Sequence, residues 1–175
     1  LIKTWNDLAY NRNQSKLLLA KILRKNMNFE SFQKNLEKYP TKDTQDAHIN
    51  GSLTVIWRDW DKIFHEHPKM VYVSSINPGE IKGPHTHLKR DSYFSCIHGK
   101  VTFVIKSKNN YVEIESDSEH PNLIYVPKNI ASAHVNNSQD VARVLVLANI
   151  AWKPNDNEMI NTIFEDYDWE NLRSK

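Results

Sequence analysis

The sequence predicts an all-β barrel behind a helical N-terminal extension. Three observations carry this reading. From residue 49 onward, short runs of strand formers alternate with turn residues at near-regular spacing. No strand–helix alternation and no internal repeat interrupts them. Before residue 40, the apolar residues fall at helical spacing instead.

The elements follow in chain order. Ser15 can cap a run containing Leu17, Leu18, Leu19, Ile22 and Leu23 that ends near Asn26. Phe29, Phe32 and Leu36 continue the spacing to Tyr39 and Pro40. Residues 1–45 thus read as an amphipathic helical extension that packs on the barrel or on a second subunit, with 41–47 as a polar linker. Strands are predicted at 52–57 and 70–76. Runs at 93–97 and 101–105 are split by His98-Gly99-Lys100, and 111–115 follows the turn pair Asn109-Asn110. Residues 123–126 run into Pro127, and 142–148 form the last strongly apolar run. These bound a barrel over 46–155, followed by a C-terminal docking segment, 156–175, with the aromatic cluster Phe164, Tyr167 and Trp169.

Composition excludes several function classes. The 175-residue chain has a formal net charge of +2, too near neutral to argue for nucleic acid or a membrane surface as partner. Its one cysteine, Cys96, rules out an internal disulfide framework and, mid-strand, reads as buried packing. No apolar run approaches the ~18–20 residues of a spanning helix. Residues 1–14, with Asn6, Asp7 and Asn11, lack the apolar core of a signal peptide, so a cytoplasmic location is expected by default. Opening on Leu1 points to a truncated or processed start.

Chemistry concentrates in Gly79-Glu80-Ile81-Lys82-Gly83-Pro84-His85-Thr86-His87, with Asp91 and Gly99 downstream. Three of the four glycines, 79, 83 and 99, fall here, marking positive φ or close backbone approach. Side chains alternate along a strand, so His85 and His87 share a face and can hold a metal or move protons. Lys82, three residues earlier, suits an anionic substrate group. Asp91 reads as a fourth ligand, a partner for either histidine, or a solvated carboxylate. In Pro127-Lys128-Asn129-Ile130-Ala131-Ser132-Ala133-His134-Val135-Asn136, Ser132 and His134 fall on one strand face and become pocket-lining candidates. A second pair, His65 and His67, lies in a polar segment before Pro68 and reads as an exposed loop.

The spacing Gly-x5-His-x-His-x3-Asp-x7-Gly is similar to the first cupin motif, and residues 71–105 resemble the sugar-nucleotide cupins. These are the dTDP-4-dehydrorhamnose 3,5-epimerase and dTDP-4-keto-6-deoxyglucose 3,4-ketoisomerase families. Gly51-Ser-Leu-Thr-Val-Ile-Trp-Arg58, Tyr125-Val-Pro127 and Val144-Leu-Val-Leu147 extend the likeness over roughly 46–155. It implies a cupin jelly-roll barrel, a homodimer, no cofactor and no catalytic metal. It makes His85 the base, His87 the second acid/base and Lys82 the diphosphate contact, with His134, Ser132 and Asp91 toward substrate. The implied function is isomerase or epimerase on a nucleotide-linked 4-keto-6-deoxysugar, in surface polysaccharide sugar biosynthesis. The epimerase tyrosine falls near Leu145 or Val146, its lysine near Ser92 and its strand-borne histidine at Ser132; none is matched. Asp166 and Asp168 are the candidates for the carboxylate that orients the base, and the ketoisomerase pattern fits better. Two alternatives stand beside it: a metal cupin, dioxygenase or lyase, with His85, His87, Asp91 and His134 around Fe, Mn or Zn, and a non-catalytic sugar-binding cupin.

Overall fold

Two five-stranded antiparallel sheets and a two-stranded arm make up the computed structural model, which describes residues 33–60, 66–108 and 110–173. The strands are β1 (Gln33–Asn35), β2 (Glu37–Lys42), β3 (Ile49–Val55), β4 (Met70–Ile76), β5 (Ile81–His87) and β6 (Ser92–His98). After them come β7 (Lys100–Ser107), β8 (Asn110–Asp117), β9 (Asn122–Val126), β10 (Ala131–Val135), β11 (Ala142–Ala148) and β12 (Met159–Asn161), then a short helix α1 (Trp169–Arg173). One sheet runs β1-β9-β6-β11-β4 and the other β12-β5-β10-β7-β8, while β2 pairs with β3. This is the double-sheet β architecture the sequence predicts. Among the described residues no helix is long and apolar enough to cross a membrane.

The sheets meet through their inner faces, where Phe94 of β6 lies 5.4 Å from Phe103 of β7. Val101, Phe103 and Ile105 alternate inward on β7, yet Val104 between them is equally buried. The reason is a second layer: Val104, Ala131, Ala133 and Val135 on the outer face are covered by Phe164 and Leu172. A sheet covered on both faces loses the polar half of its alternation, which is why β7 reads as a continuous apolar run. Phe164 stacks on Trp169 at 5.9 Å, and Tyr167 closes the cluster against Tyr111.

The helical reading is overturned at residues 33–42. There the chain forms β1, paired with the edge strand β9, and β2, paired with β3. The segment is polar with few apolar anchors, so its helical spacing buries little, while an open sheet edge offers a full row of backbone partners. The remainder of the helical reading, residues 1–32, lies outside the described residues. The stretch 41–47 is not a linker but the tip of the β2–β3 hairpin, closed by Asp43 N–H to His48 O. That arm leaves Tyr39, Ile49 and Leu53 exposed.

Candidate active site

β5 carries the site because a bulge breaks its alternation. Against β10, Ser132 pairs with His85 but His134 pairs with Lys82, so the two residues Gly83 and Pro84 of β5 oppose the single Ala133 of β10. The extra residue falls at Gly83-Pro84, where Gly83 takes φ 91° and the peptide to Pro84 is cis. Plain alternation would turn Lys82 away from His85. The bulge restores its parity, and Lys82, His85 and His87 all line one cavity of about 500 Å³. That volume suits a small-molecule ligand. Ser132 and His134 of β10 line the cavity too, joined by Tyr72 and Arg90.

β12 orients the two histidines. It pairs Asn161 with His85 and Met159 with His87, and the Asn161 Oδ1 lies 3.1 Å from His85 Nδ1. Glu158, the residue before β12, is buried; its Oε2 lies 2.9 Å from His87 Nδ1 and its Oε1 accepts the Arg90 backbone N–H at 3.1 Å. A carboxylate at Nδ1 fixes the tautomer with Nε2 as acceptor. One Arg90 guanidinium nitrogen sits 2.8 Å from His87 Nδ1 and 2.7 Å from Nε2. Two ring nitrogens can be equidistant at that range only from over the ring face, so the guanidinium stacks on the imidazole. Burial, then the Arg90 charge, pushes the His87 pKa down, with Glu158 opposing.

His134 sits between Phe94 and Phe103 with ring centroids 4.8 and 4.5 Å away. Burial, and after it Lys82, His85 and His87, holds its pKa down at about 3. The unfolded chain protonates this histidine below about pH 6.5 and the folded one does not until about pH 3. Across that window the unfolded state binds the extra proton, so stability falls as pH falls, by at most about 1.4 kcal/mol per pH unit. Urea denaturation at pH 6.0 and 4.5 is therefore expected to show a shallower pH loss in His134→Gln than in wild type. Equal losses would remove His134 as the source.

The structure brings together Lys82, His85, His87, Ser132 and His134, and leaves Asp91 out. Asp91 is buried, with Oδ1 accepting the Lys128 N–H at 2.9 Å and Oδ2 near Asn149 Nδ2 at 3.5 Å. It fastens loops rather than facing the cavity, which corrects its reading as a substrate or metal ligand. Among the described residues, the three-ligand cluster with ligand atoms within 4.8 Å of one another is Asp43, Asp46 and His48 on the exposed hairpin tip. The set His85, His87, Asp91 and His134 is not gathered in that way. His67 is exposed as expected, and His65 lies outside the described residues. Cys96 is buried, its thiol pushed up to about 11.

Four site residues escaped the sequence reading. Arg90 is one position from the favoured Asp91, and parity with Ser92 and Phe94 turns it inward. Glu158 and Asn161 arrive from the far end of the chain; Asp168, a candidate for Glu158's role, instead accepts the Asn171 N–H at the start of α1. Tyr72 pairs directly across from Val146, the level where an epimerase tyrosine was sought on β11. Period-two counting along 70–76 could have found it. Burial raises its pKa, with Glu158 adding and Arg90 opposing, so it remains a phenol.

The family model described as FdtA, WxcM-like, C-terminal, matches residues 27–167. The chain belongs to the FdtA family. Solved structures of similar fold share low identity with this FdtA-family chain. One is a dTDP sugar isomerase from Desulfovibrio desulfuricans, at 13% identity and TM-score 0.68 over 82% of this chain and 94% of that one. Another is a mutant of the 3,4-ketoisomerase QdtA from Thermoanaerobacterium thermosaccharolyticum in complex with TDP-4-keto-6-deoxyglucose, at 20% identity and TM-score 0.58 over 78% and 90%. The capsular polysaccharide assembling protein CapF from Staphylococcus aureus matches 55% of this chain at 18% identity and TM-score 0.51. The chain spans only about a quarter of CapF, 26% of its length. No curated protein matches the chain.

Proposed function

We propose that this FdtA-family protein is an isomerase or epimerase of a nucleotide-linked 4-keto-6-deoxysugar. The observation that carries the reading is the His87–Glu158 pair beside His85 on one cavity wall. The dyad reverses the roles implied by the resemblance. His87, neutral and with Nδ1 held by a carboxylate, is the base, and His85 is the second acid/base. His87 takes the proton from the carbon beside the ketone, and the electron pair passes to the carbonyl oxygen as an enediolate. Return of a proton to the former carbonyl carbon, with the neighbouring hydroxyl proton moved to the first oxygen, transposes the ketone. Return to the original carbon from the other face inverts it. Tyr72, as a half-buried phenol, and Ser132 are neutral donors for the sugar oxygens.

The structural neighbour that holds TDP-4-keto-6-deoxyglucose supports this substrate class. A role in surface polysaccharide sugar biosynthesis, a cytoplasmic location and a homodimer belong to the same proposal. The last is supported by the apolar side chains exposed on the β2–β3 arm. The test is incubation with dTDP-4-keto-6-deoxyglucose in deuterated water, followed by NMR. Deuterium appearing at carbon 3 or 4 is the expected result, and its absence from every dTDP-4-keto-sugar tried removes the reading.

Lys82 is assigned to the diphosphate. Its ammonium donates to Ser74 Oγ at 2.9 Å on an exposed side chain, where it can meet a phosphate without losing its hydration entirely. Calorimetric titration of Lys82→Ala with dTDP is expected to show roughly 3- to 10-fold weaker binding, with a smaller salt dependence than wild type. An unchanged affinity would place the phosphates elsewhere.

A further inference from the structure

Five buried side-chain polar atoms among the described residues have no hydrogen-bond partner. Three of them, Arg90 Nε, Ser92 Oγ and His134 Nε2, belong to side chains that line the His85/His87 cavity. Buried polar groups are nearly always paired in folded proteins, so three orphans around one cavity call for a ligand. Strand parity assembles them. Ser92 and Phe94 face inward from β6, Arg90 reaches in from the loop just before it, and His134 faces inward from the other sheet, its ring against Phe94.

Arg90 supplies the permanent charge of this group, on a side chain only 7% exposed. Its countercharge is near but already engaged. Glu158 Oε2 stands 3.7 Å from Arg90 Nε, beyond hydrogen-bond reach, and is taken by His87 Nδ1, while Oε1 takes the Arg90 backbone N–H. A guanidinium with an unused N–H, sharing one cavity with an unpaired hydroxyl and a neutral imidazole, matches an oxygen that gains negative charge better than a neutral hydroxyl. The apolar ring of Phe94 lines the same cavity and lowers its local polarity, which strengthens the contact.

We propose that Arg90, with Ser92 and His134, forms the oxyanion subsite that takes the sugar's ketone oxygen as it becomes an enediolate, while Lys82 holds the diphosphate. This rests on the function proposed above and assigns the charge-stabilising role to a residue outside the histidine pair. The subsite recognises the sugar end of the ligand, so dTDP alone does not engage it.

The test separates the subsite from both fold and nucleotide binding. Wild type and Arg90→Gln are titrated with dTDP and with dTDP-4-keto-6-deoxyglucose, and kcat and KM for solvent exchange are measured alongside thermal midpoints. Wild type is expected to bind the keto-sugar nucleotide at least tenfold more tightly than dTDP. Arg90→Gln is expected to lose that excess and to lower kcat about a hundredfold, with dTDP affinity unchanged within twofold. Arg90→Lys, which keeps charge without the fork, is expected to recover part of kcat. A kcat within threefold of wild type, or dTDP affinity lost in proportion, overturns the proposal. If wild type binds the keto-sugar more tightly without exchanging deuterium, the catalytic reading and the oxyanion role fail, and Arg90, Ser92 and His134 survive only as a contact to the ketone oxygen. If it binds both ligands equally, the subsite fails whatever the exchange shows. Should Arg90→Gln not fold, Ser92→Ala carries the test: a tenfold loss of kcat at unchanged dTDP affinity supports the subsite, and no loss overturns it.

Discussion

His87→Asn is expected to lower deuterium incorporation into dTDP-4-keto-6-deoxyglucose by about 10³-fold or more. A positioned general base contributes roughly 10²–10⁴ to such a step, and asparagine keeps the shape without the basic nitrogen. Glu158→Gln should fall between mutant and wild type. It leaves a neutral partner at Nδ1, loses the charge that stabilises the developing imidazolium, and frees the ring to choose its tautomer. His85→Asn should block ketone transposition more than exchange, because its proton is delivered after the first has left. The acid limb of the rate profile is expected below pH 6.5, since burial and Arg90 hold the His87 pKa down and the neutral base survives to lower pH. A His87→Asn variant exchanging within fivefold of wild type would remove His87 as the base. If His85→Asn alone were inactive in exchange, the roles would return to the order the sequence resemblance implies.

Gly83→Ala is expected to cost about 3 kcal/mol of stability, read from urea denaturation. Two effects add. At φ 91° a Cβ meets its own backbone, at about 1–2 kcal/mol. The same Cβ would lie 2.8 Å from the Ser132 carbonyl oxygen and 3.3 Å from the Ala133 Cα, both backbone atoms of β10 that cannot swing aside. Overpacking of that kind costs about 1–3 kcal/mol. Relief requires β5 to separate from β10, which removes the bulge and turns Lys82 out of the cavity. Weaker dTDP binding should therefore accompany the lost stability. A cost below about 0.5 kcal/mol would mean that the bulge does not need glycine.

Two histidines at i and i+2 on a strand must share a face whatever the fold, so His85 and His87 were legible from spacing. Ser132 and His134 followed by the same count. The count failed for Asp91, because a strand predicted from 93 says nothing about which residue of the preceding loop turns inward, and the register begun at Ser92 chose Arg90. Helical spacing misled at residues 33–42, where pairing with β9 and β3 outweighed a local preference that had no apolar partner to fix it.

By itself the sequence determined an all-β chain from residue 49 onward, the strands β4, β6, β7, β8, β9 and β11 and the imidazole pair, because alternation and turn chemistry act between near neighbours. The tertiary structure alone supplied the carboxylate on which the proposed role of His87 as base rests. Glu158 stands 71 residues from His87 and reaches it only when β12 pairs with β5. It also decided where charge gathers, since the bulge at Gly83 and the register of β6 place Lys82 and Arg90 in the cavity. Contacts between distant segments depend on pairing register, and local pattern does not encode register.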